Sequence, residues 1–348
     1  MQQQVIASYV RRKDMDSVLS CLVTDSLAPG PFCEKLAELA RERLSMAEAV
    51  ALRSSATAIR LALECLGLSA GDSVIASALS PSYYRGAVEG MGLELLLADV
   101  DPTSGAISPE SARALAARGA KALLVHDALG ILPDYAALSE IGLPMVEDIS
   151  RSAGALYGDA PAGSMARLCV LGMEPEDMVT AGGGALLMAS ERREGIALRN
   201  RCADLEPELR MSDFNAALGL GQLKELSRGL ERRREIASLY VQALLQGRHR
   251  AVTQVVEGEP SWFCFPVAFE RGLKDARAYA KKKDVPTRMA FERVLLGGVD
   301  EGAEGSAPEA ASCPAAASLM LRCLLFPLHP GVSKSLAAKV AKVIATLP

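Results

Sequence analysis

Short apolar runs alternate along this chain with longer stretches whose apolar residues recur every three or four positions. The first pattern predicts buried strands, the second helices with one face toward a core. Strand-like runs stand at 49–52, 71–75, 93–98, 122–126 and 145–146. Helix-like stretches at 15–22, 32–44, 58–66, 81–91 and 135–140 separate or precede them. In one of these, Phe32, Leu36, Leu39 and Ala40 share a side, with charges between. Ser108-Pro109-Glu110 opens another with a capping serine and a proline at the first helical position. Strands alternating with helices predict an α/β fold, a parallel sheet covered on both faces. The crevice of such a sheet lies beyond the carboxyl ends of its strands. Asp148 and the region of His126 fall there.

The second half continues with strands around 168–172 and after Gly182-Gly183-Gly184, then helices at 191–201, from Arg210 onward and through 233–240. From Ser261 a smaller α/β unit is expected. It has a helix near 274–282, a mobile Gly/Glu/Ala loop from about 297 to 312, a helix near 314–321, a buried strand to Phe326 and a closing helix at 333–346. The expected divisions are an N-terminal arm (1–30), a large domain (31–230) and a small C-terminal domain (231–348).

Half of the 348 residues are hydrophobic and 23% are charged, so a sizeable core can be buried. A net charge of −4 gives no reason to expect a nucleic-acid or anionic-membrane surface. The basic runs Arg232-Arg233-Arg234 and Lys281-Lys282-Lys283 read as solvated helix faces. No apolar run approaches the ~20 residues that span a bilayer. Met1-Gln2-Gln3-Gln4 lacks the features of a signal peptide, so a cytoplasmic setting is expected. The eight cysteines show no C-x-x-C spacing and read as small core hydrophobes, neither a disulfide framework nor a zinc site. Three distant histidines without paired carboxylates form no metal-ligand set.

Four motifs narrow the picture. They are Glu147-Asp148 at a strand end, Gly182-Gly183-Gly184, the segment Arg210-Met211-Ser212-Asp213, and Pro327-Leu328-His329-Pro330-Gly331. In these the chain resembles the DegT/DnrJ/EryC1/StrS aminotransferases, pyridoxal phosphate (PLP) enzymes that aminate keto-sugars on nucleotide carriers. The resemblance runs roughly from Gly30 to the end. It implies a fold-type-I, PLP-transferase-like large domain of three layers with a mostly parallel sheet, and a smaller C-terminal α/β domain. It also implies PLP or PMP as cofactor, a nucleotide-sugar or other small-molecule ligand, and a homodimer.

Carried over position by position, the resemblance assigns Asp148 to the pyridine nitrogen and the helix start at 54–57 to the cofactor phosphate. Ser55 and Ala56 stand at that start where the family has Gly and Thr. Pro81 stands where the family has its stacking aromatic, with Tyr83 or Tyr84 as substitutes by another route. Arg151 replaces a glutamine, Ala153 a histidine, Leu171 a phosphate-binding serine, and Glu208 an asparagine that crosses from the neighbouring subunit. His126 matches the family's histidine on the preceding strand. At the Schiff-base lysine position, counted from either side without a gap, stands Glu176. Between Lys121 and Lys224 the chain has no lysine at all, and a carboxylate cannot condense with an aldehyde as a desolvated amine can. Glu176 and Asp177 near Asp148 would repel one another, and Arg151 is expected to offset them. Three readings follow. The first is a family member without Schiff-base chemistry that keeps a binding or partner role, and the missing amine favours it. The second is an enzyme using non-covalent PMP with Glu176 as base. The third is an ordinary PLP aminotransferase.

Overall fold

A computed structural model describes residues 4–25, 27–297 and 311–348. Its first part contains α1 (Arg12–Val23), α2 (Pro31–Leu44), β1 (Glu48–Leu52), α3 (Ser55–Cys65), β2 (Ser73–Ser77), α4 (Tyr83–Glu89) and β3 (Glu94–Ala98). There follow α5 (Pro109–Ala116), β4 (Ala122–His126), α6 (Tyr135–Ser139), β5 (Met145–Asp148), β6 (Leu156–Tyr157), β7 (Ala160–Pro161), β8 (Leu168–Gly172) and β9 (Ala185–Ala189). Then come α7 (Arg192–Cys202), α8 (Asp213–Lys224), α9 (Leu226–Leu244), β10 (Arg250–Ala251), β11 (Gly258–Glu259) and β12 (Phe265–Ala268). The chain closes with α10 (Leu273–Lys282), β13 (Arg288–Met289), α11 (Pro314–Arg322), β14 (Cys323–Phe326) and α12 (Lys334–Ala345).

Seven strands form one sheet in the order β1-β9-β8-β5-β4-β2-β3. The pairs from β8 to β3 are parallel, and β9 runs antiparallel to both its neighbours. β4, β5, β8 and β9 are buried along their whole length, which is why they read as nearly unbroken apolar runs. Alternation sorts their side chains between two layers. Leu168 and Val170 of β8 meet Ile59, Leu63, Val88 and Leu198 from α3, α4 and α7. Cys169 and Leu171 meet Leu36, Ala40 and Leu223 from α2 and α8 on the other face. Serine caps set several helix starts: Ser54, Ser108, Ser212 and Ser333 each accept from a backbone N–H three residues on.

The second sheet, β10-β12-β14-β13, is antiparallel throughout. Ile236 and Tyr240 of α9, Ala276 of α10, and Val340 and Ile344 of α12 cover it. A separate apolar seam, including Leu79, Leu129, Phe263, Leu319 and Leu325, ties this sheet to loops at the strand ends of the first. The small ribbon β11-β6-β7 has no counterpart in the sequence expectation. Residues 298–310 of the loop expected at 297–312 lie outside the described residues.

One expectation about charge is corrected. Arg233 is buried, and its Nη1 donates to the carbonyls of Trp262 (3.2 Å), Phe263 (2.7 Å) and Leu328 (3.1 Å). Burial lowers its pKa to about 10. It is a post joining α9 to two loops through their main-chain carbonyls. Arg232 and Arg234 do lie outward and pair with Glu235 and Glu259.

Candidate functional site

Parallel pairing brings the ends of β4, β5 and β8 together, with His126 in register with Asp148. Asp148 is fully buried. Its Oδ1 accepts from the Ser150 N–H at 2.9 Å and from the Ser150 hydroxyl, and its Oδ2 accepts from the Tyr84 hydroxyl. His126 Nδ1 stands 3.5 Å from the same Oδ2. Burial alone would raise the carboxyl, but His126, Ser150 and Tyr84 outweigh it and hold its pKa at about 2. The Tyr84 phenol is pushed well above its ordinary value by burial and by the negative Asp148, so it remains a donor. Burial lowers the His126 imidazole against the pull of Asp148. Neither ring nitrogen of His126 has a hydrogen-bond partner among the described residues.

Gly172 marks the crowded floor of the crevice. Its N–H donates to Ser150 Oγ at 2.7 Å. A Cβ there would fall 2.5 Å from Ser150 Oγ, 2.7 Å from Ser55 Oγ and 2.9 Å from Asp177 Oδ2. Two hydroxyls and a second carboxylate therefore converge around Asp148. Asp177 is drawn inward by the Glu174 N–H, which donates to its Oδ2 at 2.8 Å. Burial raises its pKa to about 7, with Asp148 adding to the rise and Arg151 opposing it.

Glu176, in contrast, points outward. It is exposed and takes Arg288 Nη1 on both oxygens at 2.8 Å, while Arg288 Nε donates to Glu292 at 2.9 Å. The expected pairing of Glu176 with Arg151 is therefore corrected: β13 supplies the counter-charge. Arg151 lies over the Phe263 ring at 5.3 Å and forms no ion pair among the described residues. It acts on Asp177 at longer range.

The other sequence-derived positions divide in two. Ser55 is buried, with its hydroxyl near that of Tyr83. Ser54, not Ser55, caps α3, accepting from the Thr57 N–H at 3.2 Å. Ala56 is half-buried and packs against the core beneath α3. Pro81 bridges to Val294 and, with Arg151, Glu176, Phe263, Arg288 and Arg293, borders a cavity of about 120 Å³. Leu171 and Ala153 are fully buried in the core, and Glu208 is exposed on a one-turn helix, Pro207–Leu209.

A neighbouring acid pair escaped the sequence reading as a network. Asp127 accepts from Tyr135 at 2.6 Å and from Ser152. Glu147 accepts from the N–H groups of Gly163 (2.7 Å) and Met165 (3.2 Å). Burial raises Glu147 to about 7 and Asp127 well above the carboxylate range. Only the Glu147-Asp148 doublet signalled it. Tyr84 was singled out as a stacking substitute and not as a partner of Asp148, and Arg288 was not singled out at all, since their partners lie 64 and 112 residues away. Among the described residues no three His, Cys, Asp or Glu side chains are grouped to hold a metal ion. No helix among them is long and apolar enough to cross a membrane.

Residues 9–345 match the sequence profile of the DegT/DnrJ/EryC1/StrS aminotransferase family. The chain belongs to that family. It is 24% identical to GDP-perosamine synthase of Caulobacter vibrioides over 292 residues, covering 78% of this chain and 79% of that one. It is 30% identical to L-glutamine:scyllo-inosose aminotransferase of Streptomyces griseus over 215 residues. That match spans 54% of this chain and half the length of the relative. Spr1654 of Streptococcus pneumoniae, solved in PLP and PMP forms, superposes in its PLP form with a TM-score of 0.89. It shares 16% identity and covers 100% of this chain and 98% of its own. At that identity the likeness concerns the fold, which is the three-layer α/β fold of the PLP aminotransferases. The DegT/DnrJ/EryC1/StrS family works with PLP or PMP and includes enzymes of sugar amination.

Proposed function

We propose that this chain is a member of the sugar-aminotransferase family that has kept the scaffold without Schiff-base chemistry and serves a binding or partner role. The observation that carries this reading is the absence, among the described residues, of an amine beside Asp148. Every lysine is exposed except Lys339, which is half-buried and bonds Asp284 on the surface. The residues around Asp148 do not fit a PLP ring. Tyr84 already donates to Oδ2 and Ser150 to Oδ1, so a pyridine N–H would have to share an oxygen with one of them. Glu176, at the lysine position by count, is held outward by Arg288.

The test is to mix the native protein with PLP and follow the internal-aldimine absorbance, then reduce with borohydride and map adducts by mass spectrometry. The proposal expects no band and no pyridoxyl adduct in the crevice; an adduct there overturns it. The same reading includes a cytoplasmic homodimer. Exposed Met15, Leu19, Leu22 and Val23 on α1 support an interface, and light scattering of the purified chain decides its stoichiometry.

One observation favours the PMP-using alternative, with keto-sugar nucleotides as substrates. Asp177, held near neutrality beside Asp148, has the pKa of a general base. A PMP-dependent spectral change on adding a 4-keto-sugar nucleotide would select that reading.

A further inference from the structure

Most clearly paired arginines in this protein face a carboxylate: Arg199 meets Glu48, Arg201 meets Glu64, Arg234 meets Glu259. One cleft departs from that habit. It lies between β10, the end of β12, the start of α10 and the loop at Pro102-Thr103, and has a volume of about 650 Å³. That is within the range of ~300–1,000 Å³ common for small-molecule sites. Arg248, Arg250, Arg271 and Arg322 all line it. Among the described residues none of their guanidinium groups has an ion pair or a hydrogen bond. Arg322 sits at the last turn of α11, and its Nε is buried without a partner.

A buried guanidinium N–H without an acceptor is costly to keep, so the cleft is poised for an acceptor. Two carboxylates, Glu270 and Asp275, share the lining. Neither comes within ion-pair distance of an arginine, and four cations against two anions leave a surplus of positive charge. The N-terminus of α10 opens on the same space through Gly272, which has φ +77° and offers no side-chain cap. Its partial positive charge adds to the attraction. At the rim the His249 ring lies 4.5 Å from that of Phe269, and its Nε2 bonds the Pro348 carbonyl at 2.9 Å. The imidazole is thereby fixed as one flat wall.

We propose that this cleft is a second ligand site, distinct from the crevice at Asp148, which takes a small molecule bearing a phosphate or diphosphate group. Planar guanidinium forks grip phosphate oxygens bidentately, and Arg322 Nε supplies the innermost donor. Arg250 and Arg271 hold the outer oxygens from opposite sides of the mouth.

Isothermal titration of the full chain with pyrophosphate, in low-salt buffer, tests the site. The expected result is saturable binding of one pyrophosphate per chain, weakened about tenfold in Arg322→Gln. Because Arg322 is half-buried, the exposed double variant Arg250→Gln/Arg271→Gln provides a second reading, with a comparable loss and unchanged thermal melting. Arg288→Gln, across the molecule at the Asp148 crevice, should leave binding intact. No saturable binding, binding unaffected in both arginine variants, or equal affinity for citrate overturns the proposal. These outcomes are independent of whether PLP reacts with the protein.

Discussion

Asp213 and Asp148 are both completely buried and both end in a web of donors, but the donors differ in kind. Asp213, at the start of α8, accepts from the backbone N–H groups of Gly30 and Cys33, each at 3.0 Å. Asp148 is held chiefly by side chains, a phenol and a serine hydroxyl, with an imidazole close by. A carboxylate that satisfies main-chain N–H groups belongs to the architecture, because the first turn of a helix leaves such groups without intrahelical partners. A carboxylate ringed by side-chain donors sits where a fold of this class places its chemistry, and its partners can be exchanged without moving the backbone. The contrast separates what this chain has kept from what it has altered.

The contrast breaks first if Asp213 proves dispensable. Asp213→Ala removes a buried carboxylate that accepts from two half-buried N–H groups, of which Cys33 keeps the Gly30 carbonyl, and should lower stability by about 3 kcal/mol, read from the urea midpoint. Asp177→Asn tests the crevice in the opposite direction. Its native pKa of about 7 lies above the unfolded value, so the native state binds the extra proton between roughly pH 4 and pH 7. Stability tied to this group is present at low pH and is lost as pH rises through 7. The asparagine variant should therefore be more stable than the parent at pH 8, on the order of 1–3 kcal/mol. Its melting temperature should also vary less between pH 5 and pH 8.

Tyr84→Phe removes one charge-assisted hydrogen bond to Asp148 and should cost about 1.5–3 kcal/mol at pH 7. Asp148 has a depressed pKa of about 2, so its contribution is present at pH 7. That contribution fades only as pH falls below 4 toward 2, and in that range the penalty should shrink. The smallest effect belongs to Glu176. Its pair with Arg288 is exposed, and Glu176→Lys should change stability by no more than about 1 kcal/mol. That variant also sharpens the comparison: with Tyr84 still on Asp148, an added amine alone should give no aldimine band with PLP.

The strands of the large sheet could be read from the sequence to within a residue or two because burial on both faces leaves little but apolar residues between turns. Asp148 was readable for the same reason, as the charge on which such a run stops. The ribbon of β6, β7 and β11 was not, since two-residue strands carry no period. Glu176 and Asp177 show where counting fails. Adjacent residues on a loop face opposite ways, and the Glu174 N–H turns Asp177 in while Arg288, far along the chain, turns Glu176 out. Arg233 shows the same limit: three successive arginines look alike until packing buries the middle one.

Gly172 has a consequence for anyone surveying tolerance to substitution. Even a methyl group there meets three oxygens at under 3 Å, so a deep mutational scan should find the position nearly closed to change. That closure would arise from carpentry at a strand end, and would persist in a chain that turns over nothing. Sensitivity at this floor is therefore no vote for an active enzyme.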